Sequence, residues 1–537
     1  MLSLVVRAAL YWARYLKEHG VARAFGYPGT ESIELLEAAR EAGLEFVLTQ
    51  HEATAAFAAS MTGRLTGIPG VCVTTAGPGA TNAASGIAQA HLDRMPLLVF
   101  TGDHVLAPGQ PTHQRLSPEL FAAVTRATVR LSAANLAVEL PRAFRLATTP
   151  PHGPVHLTFP SGEMETDVGE PPTGRAADPL EGAPALPDLS AVRAMIAAAK
   201  RPMIIAGLGV PNARAEGPLL RFATSLGAPV ADTQQSRGSL PTDHPLYLGT
   251  FATHRDAAVT DCANASDLVV AVGLDSVEFL KKWRLSPPVL VLTDVGAGND
   301  PAIPAALAVE GALAEMLAAL VGVRAAGRWP AEEIAGFRQR STGSLMPPES
   351  DAGRALLWPQ TVVRELQKAL PDDGIVTVDV GSHKHLMILQ WVVRRPDSFL
   401  DSSGLSSMGT GIPFALAAKL VHPARPVVAV VGDGGFLMYA GELASLGRIG
   451  APLVIVVMAD GTLNSIKIKQ VRRSYAPTGT ELGAGYSIAG VARAFGLNGE
   501  RVSSAAECAA ALRRGLTADR PTVIEAAIDP AGYEYSQ

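Results

Sequence analysis

A chain of 537 residues is too long for one domain of ordinary size, and its 48% hydrophobic content is enough to bury several cores. A formal net charge of -5 with no strong basic block argues against a nucleic-acid partner, and no apolar run reaches the length of a membrane span. The three cysteines, Cys72, Cys262 and Cys508, lie far apart without metal-ligand spacing and read as small buried hydrophobes of a reducing, cytoplasmic setting.

The N-terminal stretch LSLVVRAALYWARYLKEHG carries Arg7 and Arg14 among apolar residues at helical spacing, so it reads as an amphipathic helix and not as a signal peptide. Beyond it, short apolar runs alternate with longer helical patterns. FVLT, GVCVTT and PLLVFTG come first, PMIIAG and DLVVAVG midway, and GIVTVDVG, PVVAVVGDG and PLVIVVMADG last. That rhythm belongs to parallel strands joined by crossover helices. Two stretches break it, at about 163–188 and about 341–358, both rich in Pro, Gly, Ser or acidic residues, and both read as linkers. The prediction is an α/β protein of three doubly wound, parallel-sheet domains over 1–165, 188–340 and 358–537.

The stretch Val427–Lys467 holds the clearest chemistry. Two buried-strand runs flank a helix, and each run ends in an Asp-Gly pair, Asp433-Gly434 and Asp460-Gly461, 27 positions apart. In a parallel sheet both carboxylates arrive at the same carboxyl edge, where ligands sit. Gly432, Gly434 and Gly435 let backbone N–H groups approach a phosphate at the following helix. Asp433, Asp460 and a backbone carbonyl near Thr462, with diphosphate oxygens and water, make a donor set suited to magnesium. Each Asp-Gly pair alone would read as turn chemistry; their spacing within one strand–helix–strand unit favours a cation site.

GDGGF followed at this distance by an acidic or amide residue resembles the signature of thiamine-diphosphate-dependent enzymes. FGYPGTESIELLEAA and the stretch from TQHEATAAF to PLLVFTGD resemble the pyrimidine-binding domain of the acetolactate synthase and 2-oxo acid decarboxylase branch. The resemblance covers nearly the whole chain and is weakest in the middle. It implies pyrimidine-binding, central and diphosphate-binding domains, thiamine diphosphate and Mg2+ as cofactors, and active sites shared between chains of a homodimer or homotetramer. It also implies that Glu52 is the catalytic acid working on the pyrimidine, a task suited to an apolar pocket where burial favours the neutral carboxyl. Pro28 and Asn82 of AGPGATN would line the pyrimidine end, Met408 would wedge the cofactor into its bent shape, and the backbone at Ser406 and Met408 would meet the pyrimidine edge. Gly381, Ser382 and His383 of DVGSHKHL would hold the far phosphates. Where the family usually has Asn as second metal ligand, this chain has Asp460, which adds a negative charge beside the metal.

THQRLSPELFAAVTR is similar to the synthase branch and makes Gln114 a candidate substrate contact and His113 a weaker one; a lone His is more often structural, and that reading is favoured for His113 and His51. Lys467 and Lys469 lie two apart on a helix and cannot share a face, so at most one points inward; Lys467 is the candidate cation for a substrate carboxylate. Some relatives hold FAD in the central domain, but the Gly turn after PMIIA is no fingerprint, and FAD is not favoured. The resemblance implies acetolactate synthase as the reaction. A simple decarboxylase, a carboligase with another acceptor, and a cofactor-binding regulatory protein are the alternatives, and retention of Glu52 argues against the last.

Overall fold

The structure is a computed structural model and describes residues 5–103, 116–171, 186–295, 300–342, 354–483 and 485–535. Its residues gather in two compact units, one of Met1–Glu181, Gly404–Pro423 and Tyr439–Ala451, the other of Gly182–Ser403, Ala424–Met438 and Pro452–Gln537.

The first unit is built on the strands β1 (Val5–Arg7), β2 (Arg23–Tyr27), β3 (Glu45–Leu48), β4 (Gly70–Thr74), β5 (Leu97–Asp103), β6 (Ala127–Arg130), β7 (Pro154–Pro160) and β8 (Asp167–Gly169). Six form a parallel sheet in the order β3-β2-β4-β5-β7-β6. β4 and β7 are buried along their whole length, as expected of strands covered on both faces. The N-terminal stretch folds as β1 followed by the helix Ala8–Glu18, which buries Tyr11, Trp12, Tyr15 and Leu16 against the sheet. The stretch read as a linker from about 163 differs from expectation. Within it β8 pairs antiparallel with β1, and Glu170 takes the guanidinium of Arg14. A strand of three residues among Pro, Gly and acidic neighbours has too short a period to stand out in the sequence.

The helix Glu52–Thr66 is buried on nearly all sides, which explains its run of Ala, Thr and Ser. Small residues let it come close to its neighbours. A Cβ on Gly70 of β4 would fall 1.7 Å from the Ala59 carbonyl oxygen, and one on Gly86 would fall 2.4 Å from the Ala56 Cβ. The helix is thereby locked against β4 and the helix Pro78–Leu92, and Glu52 is fixed at its first turn.

The second unit holds two further parallel sheets. β9 (Pro202–Ala206), β10 (Val230–Asp232), β11 (Tyr247–Thr250), β12 (Leu268–Val272), β13 (Val289–Thr293) and β14 (Ala305–Glu310) lie in the order β11-β10-β9-β12-β13-β14. β15 (Ile375–Val378), β16 (Phe399–Asp401), β17 (Val427–Gly432), β18 (Val454–Ala459), β19 (Asn498–Val502) and β20 (Thr522–Ala527) lie in the order β16-β15-β17-β18-β20-β19. Arg237 joins the two sheets: its guanidinium donates to the Trp391 carbonyl at 2.8 Å and lies over the Phe399 ring. With helices packed on the sheets, the chain has an α/β fold of three parallel six-stranded sheets. Among the described residues no helix is long and apolar enough to cross a membrane.

Candidate active site

β15, β17 and β18 are neighbours in one sheet, so the loops at their carboxyl ends meet at one edge. After β15 the chain turns through Gly381, at φ +156°, into the helix Ser382–Gln390. A Cβ on Gly381 would lie 2.7 Å from the His383 ring, and one on Gly432 at the end of β17 would lie 3.2 Å from it. The two glycines therefore leave a cradle over a buried imidazole. Burial pushes His383 down to about 4, so the ring is neutral, and among the described residues its Nε2 has no hydrogen-bond partner. An unsatisfied buried donor or acceptor beside a glycine cradle and a helix N-terminus fits a phosphate group.

Asp433 opens the next helix and is buried. Its Oδ1 accepts the Gly434 N–H at 2.9 Å, and its Oδ2 accepts those of Gly461 at 2.6 Å and Asp460 at 3.1 Å. These bonds tie the β17 loop to the β18 loop. Asp460 Oδ1 accepts the Thr462 N–H at 2.9 Å and the Thr462 hydroxyl at 3.2 Å. Burial raises both carboxyls above their ordinary range, and Asp433 adds its repulsion to bring Asp460 up to about 7. Among the described residues the hydrogen-bond donors to this pair are backbone N–H groups and one hydroxyl, so the buried Asp433 and the half-buried Asp460 stand close together with no cationic side chain bonded to either. That is a poor arrangement for the bare protein and a suitable one for a hard divalent cation. Among the described residues no group of three or more His, Cys, Asp or Glu could hold a metal. A cation here would rely on two protein carboxylates, a carbonyl and oxygens of a bound diphosphate.

The first unit carries Glu52. Glu52 is 8% exposed, and its Oε2 accepts the Asn82 side-chain amide at 3.0 Å. The missing side chain of Gly79 leaves room beside Oε1, where a Cβ would stand 3.2 Å away. His51 caps the helix by accepting the Ala53 N–H, a structural task. Pro28 stands exposed in the turn after β2. Ser406, with φ +56°, is exposed and Met408 half-buried, in the segment Gly404–Pro423 that packs in this same unit. The structure thus joins Glu52 with Asn82, and it joins Gly381, Ser382, His383 and Gly432 to Asp433, Gly434, Gly435, Asp460 and Thr462. Gln114 and His113 lie outside the described residues.

Several polar residues in these surroundings carry no sequence signal. Glu442 is buried and accepts the Gln50 N–H on both oxygens, at 3.0 and 3.1 Å, which fixes the backbone just ahead of Glu52. Lys384, one residue past His383, makes a buried ion pair with Asp401 at 2.8 Å. The His254 and His385 rings meet at 5.0 Å; burial first, then His254, pushes His385 down to about 3, with Lys469 also repelling a proton. Lys467 points instead to Glu481, at 3.0 Å.

Three families of domain match this chain. They are the thiamine pyrophosphate enzyme N-terminal TPP binding domain over residues 6–115, the central domain over 189–320, and the C-terminal TPP binding domain over 379–526. The chain belongs to the thiamine pyrophosphate enzyme family. As a thiamine pyrophosphate enzyme it uses thiamine diphosphate and carries out transferase- or lyase-type chemistry. Among its relatives, acetolactate synthase of Bacillus subtilis (strain 168) is 30% identical over 96% of this chain and 92% of its own. Acetolactate synthase isozyme 2 large subunit of Escherichia coli (strain K12) is 31% identical over 96% and 94%. A probable 2-ketoarginine decarboxylase, AruI, of Pseudomonas aeruginosa is 31% identical over 95% and 92%.

Proposed function

We propose that this enzyme removes CO2 from a 2-oxo acid and joins the remaining acyl unit to a second 2-oxo acid, with two molecules of pyruvate giving 2-acetolactate and CO2. The observation that carries the reading is the similarity, along nearly the full length of both chains, to proteins named acetolactate synthase. The equally extensive similarity to a probable 2-ketoarginine decarboxylase supports a second reading, release of a free aldehyde.

Thiamine diphosphate, when bound, supplies the nucleophilic carbon and the electron sink that decarboxylation requires. In this reading Glu52 would serve as the acid–base group toward the pyrimidine ring, with the Asn82 amide fixing the orientation of Oε2 and leaving Oε1 to that task. Gly381, Ser382, His383, Gly432, Gly434 and Gly435 would hold the diphosphate. Asp433, Asp460 and the Thr462 carbonyl would hold Mg2+. Ser406, Met408 and Pro28 line the pyrimidine end, and Gln114 orients the acceptor. Two copies of the chain assemble so that Glu52 from one completes the Asp433 site of the other.

Product analysis tests the reaction. Purified protein with Mg2+, thiamine diphosphate and pyruvate is expected to form acetolactate with CO2. Acetaldehyde as the main product favours the decarboxylase reading; no consumption of pyruvate, with proton exchange at the cofactor intact, points to another 2-oxo acid. Full activity in a protein that is monomeric at working concentration overturns the shared site.

A further inference from the structure

The central sheet contains a crevice that the proposed reaction does not use. In chain order its strands run third, second, first, fourth, fifth, sixth, so connections leave β9 and β12 in opposite directions. In open α/β sheets the space at the carboxyl ends of two such strands is where dinucleotides lie, their phosphates on a glycine turn after the first strand. Here β9 runs into Gly207-Leu208-Gly209, and β12 runs into Gly273.

That space is filled from within. The Glu278 side chain is 5% exposed and reaches back into the crevice. Its Oε2 accepts the Leu208 N–H of the glycine turn at 3.0 Å and the Asp275 N–H at 3.2 Å. Its Oε1 accepts the hydroxyl of Thr233, which follows β10. Three donors from the ends of three adjacent strands thus converge on one carboxylate. The two turns also close on each other: the Gly209 N–H donates to the Gly273 carbonyl at 2.7 Å, and a Cβ on Gly207 would stand 2.8 Å from Glu278 Oε2. Burial raises this carboxyl to about 8, and Asp275 adds repulsion while the three hydrogen bonds oppose the rise. A neutral or singly charged side chain in place of a phosphate removes the need for an outside ligand to satisfy these donors.

We propose that Glu278 occupies the phosphate position of the central sheet's nucleotide crevice as an internal stand-in, so that this domain holds neither a flavin nor an adenine nucleotide on the Gly207–Gly209 turn. The residues do not fit FAD in this place: a diphosphate would have to displace a buried carboxylate that already takes the turn's N–H.

Equilibrium dialysis of the full-length protein, loaded with thiamine diphosphate and Mg2+, against FAD and against ADP tests this. Wild type and Glu278→Gln, whose amide oxygen still accepts from Leu208, are expected to retain neither. Glu278→Ala is expected to bind ADP at least about tenfold more tightly than wild type. Wild-type binding of FAD or ADP as tight as that of Glu278→Ala overturns the proposal, as does a folded Glu278→Ala that gains nothing. Hydrogen exchange on wild type needs no variant. The Leu208 and Asp275 amides are expected to be equally protected with and without ADP, and added protection there overturns the proposal too.

Discussion

Replacing Lys384 by methionine should damage the protein well beyond what one surface charge would do. The Lys384 and Asp401 side chains are 5% and 1% exposed, so neither charge is shared with water. The ammonium meets the Asp401 carboxylate at 2.8 Å and donates to the Ser402 carbonyl and, at 3.1 Å, to the Ser403 hydroxyl. After Lys384→Met, Asp401 keeps the Ser403 hydroxyl at 2.9 Å and loses its counter-charge. Breaking a buried pair from one side costs about 3–5 kcal/mol, because a charge stays in the interior unpaired. For a domain of this size each kcal/mol is worth about 2–4 °C, so calorimetry should show the transition falling by roughly 6–20 °C. The double variant Lys384→Met/Asp401→Leu removes both charges and should recover most of the loss. Lys384 sits in the first turn of the helix that carries Gly381 and His383 at its start, so titration calorimetry should also show weaker thiamine diphosphate binding in the single variant. A shift below about 2 °C, or a double variant no better than the single one, would refute the reasoning.

Glu52→Gln fills the same space and can still accept from Asn82, yet it cannot exchange a proton; cofactor binding should persist while C2 proton exchange, followed by NMR, falls at least about 100-fold. Asp433→Ala removes the acceptor of three N–H groups and should abolish Mg2+-dependent cofactor retention, whereas Asp460→Asn keeps an oxygen for Thr462 and should be tolerated; equal damage in dialysis would sink the assignment of Asp460. His156 is buried, bonded to Thr101 at 2.8 Å, and held down to about 4 by burial, so only the unfolded chain takes up its proton below about 6.5. Stability should therefore be insensitive to this residue above that pH and decline as the pH falls toward 4. The loss is about 2 kcal/mol at pH 5, and His156→Gln should flatten that part of the profile.

The three sheets were legible because strands covered on both faces need continuous runs of Val, Ile, Leu and Ala, which are unmistakable in PVVAVVG and PLVIVVMA. The Asp433 and Asp460 loops were legible for the same reason: adjacent parallel strands bring their ends to one edge, so spacing along the chain converts to proximity. Glu442 was not. It meets Gln50 across 392 positions, and no local pattern encodes such a contact. The Lys384–Asp401 pair and the His254–His385 contact are hidden likewise, since a Lys or His reads as solvated until its surroundings are known. Glu278 stands in LDSVEF as an ordinary capping acid; that it fills a crevice depends on β9 and β10, dozens of residues upstream.

The bond from Gln50 to Glu442 has a consequence for how the chain comes into being. Protein synthesis releases residues in order, and domains tend to fold as they emerge. The N-terminal sheet and the helix bearing Glu52 leave the ribosome early, but the segments Gly404–Pro423 and Tyr439–Ala451 that complete their unit arrive only after the whole central sheet has been made. Until then the end of that helix has no carboxylate to fix it, and the apolar surface that faces the helix Gly411–Val421 is bare. A nascent chain shorter than about four-fifths of the full length therefore exposes a sticky, incomplete unit, a natural client for a chaperone that binds hydrophobic surface. Truncations that stop before Gly404 should aggregate even though every strand of the first sheet is present.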